Sequence, residues 1–202
     1  MNILILGRTR MGTSHRCIGG ITEEGNSVRL LTSGGDYWPT SAPFQIGEVW
    51  DVSFTHAANL RPPHLEDVLV HGFKFVGPVP SFGTQVSQIV TGLTGSTQHI
   101  FDGNLAFTAA NNGFINQRRG VPNHSTCFWI PDQDLVLRSD GKHYDYPGKF
   151  GPRGFSYVGE PSAIPVIPAG TFVRMSLARW WRPDDADQHL EERCYLQLSG
   201  WF

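Results

Sequence analysis

The sequence predicts an all-β fold, mainly strands with one or two short helices, built as two small β-barrels packed together. Three observations lead there. Short strand-like runs recur along the chain, punctuated by Gly and Pro. Only one segment carries helical periodicity. The 202 residues include 23 Gly, 14 Pro, 13 Phe and 6 Trp, which is rich in turn formers and in the aromatic residues that strands favour.

The elements follow in order. Residues 2–6, Asn-Ile-Leu-Ile-Leu, read as a continuous apolar strand. Residues 17–21 and 27–32 come next, joined by a polar loop with Gly25 that suits a hairpin. Residues 8–16 read as a polar loop, and Gly34 and Gly35 open another that includes Trp38 and Pro39. Residues 48–55 alternate, with Val49, Asp51, Ser53 and Thr55 on one face and Trp50, Val52 and Phe54 on the other. Pro62 and Pro63 mark a turn, because neither can donate to a ladder. Residues 66–75 alternate again. In residues 84–93, Val86, Ile89, Val90 and Leu93 fall at i, i+3, i+4 and i+7, one face of a helix, with Ser81 or Thr84 to cap it and Gly95 to end it. Residues 105–108 and 113–116 read as short strands beside a turn at Asn111, Asn112 and Gly113. Residues 126–130 and 134–138 read as a hairpin, 142–146 as a short strand and 149–155 as a Gly/Pro/Arg loop. Residues 157–159, 164–167 and a closing hairpin complete the chain. The helix then divides it into residues 1–94, an N-terminal barrel carrying helix 84–93, and residues 95–202, a C-terminal barrel, with the boundary somewhere within 78–125. An OB barrel, five strands and a helix, fits each half; the pattern alone does not separate it from an SH3-like barrel or a sandwich.

The closing hairpin is the most informative stretch. In its first strand Val173, Met175 and Leu177 oppose Arg174, Ser176, Ala178 and Trp180; in its second, Cys194, Leu196 and Leu198 oppose Arg193, Tyr195, Gln197, Ser199 and Trp201. Each strand has an apolar face for a core and a face of guanidinium groups, planar rings and an amide. Such a face can stack and hydrogen-bond a flat polar ligand such as a nucleobase. The same Trp residues would equally serve a core or an interface between barrels.

Charge narrows the function. The net charge of −2 and pI near 6.4 exclude a generic polyanion binder. Locally, Lys149, Arg153, Arg174, Arg179 and Arg182 face only Glu160, and an acidic run at 184–192 follows. Arg outnumbers Lys, which suits bidentate phosphate contacts, although a GC-rich genome gives the same bias. The three Cys are widely spaced and odd in number, a reduced, cytoplasmic pattern with no disulfide framework. No apolar run is long enough to span a membrane, and the N-terminus reads as a first strand, with no signal peptide.

Two stretches resemble a known family. One is Thr9 and Arg10, then His15-Arg16-Cys17-Ile18-Gly19-Gly20-Ile21 and Ser27-Val28-Arg29-Leu30. The other is Val173-Arg174-Met175-Ser176-Leu177-Ala178-Arg179-Trp180-Trp181 followed by Arg193-Cys194-Tyr195-Leu196-Gln197-Leu198-Ser199-Gly200-Trp201. Together they resemble the prokaryotic dual-OB-domain family, and the match at both ends implies a fold of two tandem, OB-like small β-barrels packed together. The resemblance also implies recognition of nucleic acid or nucleotides, in defence against foreign elements.

The candidate ligand-binding residues fall in two groups. Arg8, Arg10, His15, Arg16 and Arg29 lie near the N-terminus, where Gly7 and Gly12 permit close approach of backbone to ligand. Arg174, Arg179, Trp180, Trp181, Tyr195, Gln197 and Trp201 form the face of the closing hairpin, with Arg182 beside them. Lesser basic patches are residues 117–120 and 149–154. The eight His do not pair at ligand spacing and no Cys-x-x-Cys exists, so no metal site is expected; His15 and Cys17 alone do not make one. Phosphate-loop, dinucleotide and nucleophile-elbow motifs are absent, and Asp132/Asp134 and Glu191/Glu192 sit in or beside turns. No cofactor and no catalytic residue is assigned. The expectation is a non-enzymatic recognition module for single-stranded nucleic acid or a nucleotide. Alternatives are an enzyme acting on such a ligand, with His15 and Arg16 near the chemistry, or an adaptor whose aromatic face binds a protein partner.

Overall fold

Alternation puts Ile3 and Ile5 on one face of the first strand and Leu4 and Leu6 on the other, and all four are buried. A strand buried on both faces must lie between two layers, and here the layers are two barrels. In this computed structural model, which describes residues 1–149, 151–183 and 191–202, the strand is β1 (Asn2–Met11). It pairs antiparallel with β2 (His15–Thr22), which pairs with β3 (Ser27–Leu31) and with the two-residue β4 (Trp38–Pro39). β5 (Glu48–His56) and β6 (Asp67–Pro78) form a long hairpin. β5 returns to β1 and β6 runs parallel to β3. The order β1-β5-β6-β3-β2-β1 closes a five-strand barrel.

Helix α1 (Phe82–Ile89) leads to β7 (Leu93–Gly95), and 3₁₀ turns at Thr97–Gly103 follow. β8 (Ala106–Phe107) and β9 (Gly113–Ile115) make a small hairpin. The remaining strands are β10 (Thr126–Pro131), β11 (Leu135–Leu137), β12 (His143–Tyr146), β13 (Arg153–Tyr157), β14 (Val166–Ile167), β15 (Val173–Leu177) and β16 (Cys194–Trp201). They form a curled half-barrel in the order β14-β11-β12-β13-β16-β15-β10-β7.

Three apolar clusters hold this together. Ile3, Ile5, Ile18, Leu30, Phe44 and Val52 belong to the first barrel's core. Trp129, Tyr144, Phe155, Met175, Leu196 and Leu198 belong to the second's. Leu4, Leu6, Ile21, Val86 and Phe128 form the third, between the barrels, with Phe82, Phe172 and Phe202 packed against it. Main-chain bonds add a seam. Arg10 N donates to Val158 O at 3.0 Å and Glu160 N donates to Arg8 O at 3.0 Å, so the end of β1 is paired by residues 158–160.

Several expectations are corrected. Helix α1 spans Phe82–Ile89 in place of 84–93, because Leu93, Thr94 and Gly95 pair in parallel with β10. The hairpin expected of 126–130 and 134–138 does not form: β10 spends its two edges on β15 and β7, and β11 pairs with β12 and β14. Residues expected as loops, 8–11 and 153–155, are strand in β1 and β13. Phe150 and most of the acidic run at 184–192 lie outside the described residues. Among the described residues, no helix is long and apolar enough to cross a membrane.

Candidate functional site

Strand register alone brings two rows of side chains face to face where the barrels meet. On the first barrel, Gly7, Gly19, Arg29 and Asp67 are in register across β1, β2, β3 and β6, with Thr9 opposite Cys17 alongside. On the second, Thr126, Ser176, Gln197 and Ser156 are in register across β10, β15, β16 and β13. Thr9, Cys17, Arg29, Thr126, Ser176 and Gln197 line a cavity of ≈110 Å³, together with Arg174 and Arg179. Met11 and Tyr37 border it and also line a wider, more open depression of ≈560 Å³ that includes His15 and Asp36.

Arg174 is almost fully buried here. It follows the apolar Val173 in β15, so alternation points it at the first barrel. Two glycines make room for it. A Cβ on Gly19 would sit 2.5 Å from Arg174 Nη2, and one on Gly7 would sit 2.9 Å from Nη1. Nη1 donates to Ser199 Oγ at 2.9 Å, and that hydroxyl donates to Arg174 O at 3.0 Å. Among the described residues, no carboxylate lies within ion-pair distance of this guanidinium, which is only 7% exposed. Burial pulls its pKa below the ordinary arginine value, opposed by Cys17 and Glu66 and reinforced by the charge of Arg29.

The neighbouring arginines are compensated. Arg29 is 2.8 Å from Asp67 Oδ1 through Nη1, and 2.6 Å from both Glu66 Oε1 and Ser125 Oγ through Nη2. Burial works to lower its pKa, but the nearby acidic groups outweigh burial and raise it. Arg179 Nη2 is 2.6 Å from Asp67 Oδ2, and its Nε donates to Tyr37 Oη at 3.0 Å. Three guanidinium groups therefore meet two carboxylates in the cleft. His64, almost fully buried, is pushed down to about 3 by burial and by the charges of Arg29 and Arg179, so it is neutral. Its Nε2 is 3.2 Å from Ala178 O, and since a carbonyl only accepts, that nitrogen carries the proton.

The sequence-derived residues divide by location. Arg29, Arg174, Arg179 and Gln197 converge on the cleft. His15 is exposed, lines the outer depression and bonds Ser14. Arg8 points the other way, into the first barrel, donating to Ala42 O, Phe44 O and Thr40 O and pairing with Glu160. Arg16 is 2.8 Å from Glu160, and the exposed Arg10 sits over the Tyr157 ring. Trp180 is half-buried, donating to Pro62 O at 2.8 Å beneath Arg61, and Trp181, 53% exposed, lies beside Tyr195. Trp201 departs from the expected face. A bulge leaves Ser199 without a partner in β15, so Val173 faces Trp201, which turns inward onto Tyr157 and Tyr144. The lesser basic patches are tied locally: Arg118 to Glu191, Arg119 to Leu105 O, Arg153 over Phe107.

Sequence reasoning missed Tyr37, Thr126 and His64 as cleft residues. Thr126 carried a signal, since alternation puts it on the same face as Phe128, which packs between the barrels. Tyr37 and His64 lie in loop or turn segments whose paths no local pattern encodes. Among the described residues, no group of three His, Cys, Asp or Glu could hold a metal ion.

No curated protein and no solved structure matches the chain. A family model described as a dual OB-containing domain matches residues 1–201. With two barrel-like sheets built along that same span, the chain belongs to the dual OB-containing domain family.

Proposed function

We propose that this protein is a non-enzymatic recognition module for nucleic acid or a nucleotide, and that its ligand enters the cleft between two units, residues 1–94 and 95–202. OB folds commonly bind nucleic acid or protein. The observation that carries the choice is Arg174. A buried cation without a counter-ion is costly, and a phosphate oxygen is the group that best relieves it through charge-assisted hydrogen bonds. Tyr37 and Met11 offer apolar surface beside that charge for a base to stack on. A net charge of −2 favours a short ligand held at one point over long stretches of phosphate backbone.

The cleft chemistry favours binding over catalysis. Next to the cleft, Cys194 of the second barrel's core has its Sγ 3.8 Å from His64 Nε2, the nitrogen that carries the imidazole proton. Burial pushes the Cys194 thiol up to about 12, while His64 is held at about 3. The pair is a neutral thiol beside a neutral imidazole, the reverse of an activated thiolate.

Fluorescence anisotropy of labelled single strands and nucleotides tests the reading. Affinity is expected to fall with rising salt. Arg174→Met, which keeps the stem over Gly7 and Gly19, is expected to weaken binding by about 10- to 100-fold, the range of a charged hydrogen bond. The melting temperature of the free protein should hold or rise, since the variant removes a buried charge. If Trp181→Ala abolishes binding and Arg174→Met does not, the interface is the outer face beside Tyr195 and the cleft reading fails.

A further inference from the structure

We infer that the group taken into the inner cleft is a terminal phosphomonoester, the end phosphate of a single strand or of a mononucleotide, and not a phosphodiester inside a chain. This deepens the reading above and rests on it. Its own support begins with Thr126. That residue is 7% exposed, it lines the cavity, and its Oγ1 has no hydrogen-bond partner among the described residues. A buried hydroxyl left without a partner is destabilising, and native structures seldom keep one without a reason. Thr126 stands opposite Ser176, which stands opposite Gln197. Two hydroxyl residues, an amide and the Arg174 guanidinium thus stand around one small space, with Thr126 Oγ1 itself covered until a group enters beside it. A terminal phosphate presents three peripheral oxygens and close to two negative charges, whereas a diester presents two such oxygens and one charge. The richer acceptor fits this donor set.

Shape points the same way. The inner end is closed, because Arg174 fills the space over Gly7 and Gly19. Beside the lining residues Thr9 and Arg29, the barrels are tied together by the pairing of residues 8–10 with 158–160 and by the bond from Arg29 to Ser125. On the side of His64 and Arg179 a further depression of ≈270 Å³ adjoins, so it is the narrowness of the inner cavity that favours an end group. The inner cavity of ≈110 Å³ is also well below the roughly 300–1,000 Å³ of sites that enclose a whole drug-sized ligand. Past Met11 and Tyr37 it gives way to the depression of ≈560 Å³, where a nucleoside has room. The order of sizes is therefore phosphate inside and nucleoside outside, with Asp36 in the outer part to accept from a ribose hydroxyl or a base amino group.

The experiment uses one oligonucleotide sequence with an internal fluorophore, carrying a 5′-phosphate, a 3′-phosphate or hydroxyls at both ends. Competitors are nucleoside monophosphates, the matching nucleosides and inorganic phosphate. At least one phosphorylated end is expected to bind about 10-fold or more tightly than the hydroxyl-ended strand, and monophosphates should compete where nucleosides do not. Whether the strand or the mononucleotide wins at lower concentration identifies the source of the phosphate. Thr126→Val keeps the side-chain shape and removes the hydroxyl. It is expected to weaken binding of the phosphorylated end about 10-fold, to leave hydroxyl-ended strands unaffected, and to raise or preserve the melting temperature of the free protein. A purely structural role for Thr126 would lower that temperature and leave affinity alone. Equal affinity for phosphorylated and hydroxyl-ended strands overturns the inference, as does wild-type affinity in Thr126→Val. If Arg174→Met still weakens all strands in that case, the cleft reading survives without it; if no strand or nucleotide binds at all, both fall.

Discussion

Arg174 and Gly19 act as one unit. The guanidinium occupies the volume that any side chain at position 19 would need, with Nη2 only 2.5 Å from a would-be Cβ. Gly19→Ala is therefore expected to displace the guanidinium from its seat. The overpacking should cost about 1–3 kcal/mol in denaturant unfolding, and ligand affinity should fall in parallel with Arg174→Met. His64 makes a separate prediction at this scale. Its folded pKa of about 3 lies below the ordinary value near 6.5. Between those values the unfolded chain binds a proton that the folded chain excludes. The stability contributed by neutral His64 is thus complete above about pH 6.5 and is lost progressively as pH falls towards 3. Urea midpoints followed from pH 6.5 down to about 4.5, above the main carboxylate range, should fall less steeply in His64→Gln than in the wild type. An unchanged slope would mean that His64 is not held neutral.

At the scale of elements, strands buried on one face were legible and those exchanging faces were not. Alternation placed Val173, Met175, Leu177, Cys194, Leu196 and Leu198 in a core, where they are. It failed at Trp201, because a single extra residue at Ser199 shifts the phase and no sequence pattern marks that bulge. The same device operates in β1, where Ile5 faces Gly20 but Gly7 faces Gly19, leaving Leu6 as the extra residue. Leu6 and Gly7 thus both look towards the second barrel, and Arg8 is sent inside the first one. From composition alone Arg8 and Arg29 look equivalent. Only the bulge explains why Arg8 spends its donors on carbonyls while Arg29 reaches the cleft. Helix α1 shows a different limit. Its periodicity continues through Leu93, yet parallel pairing with Trp129 claims that residue for β7. Tertiary pairing overrides local preference there, as it does in the hairpin that β10 and β11 do not make.

For the molecule as a whole, the third cluster decides how it unfolds. Val86 is fully buried among Leu4, Leu6 and Ile21 from one barrel and Phe128 from the other. The bond from Arg29 to Ser125 and the ion pair of Arg179 with Asp67 also join the two barrels. The two barrels are therefore expected to melt in a single calorimetric transition. Val86→Ala, which opens a cavity at the junction, should lower the whole transition by about 1–3 kcal/mol without splitting it. Two resolved transitions in the wild type would show that the barrels are energetically independent.

The three-residue seam between the end of β1 and residues 158–160 has one more consequence. Its rungs are main-chain bonds, Arg10 to Val158 and Glu160 to Arg8. The halves consequently cannot part like jaws to admit a guest without unzipping a ladder. On the proposed reading, a visitor has to come and go by the side openings, past Tyr37 and Met11 or past His64 and Arg179.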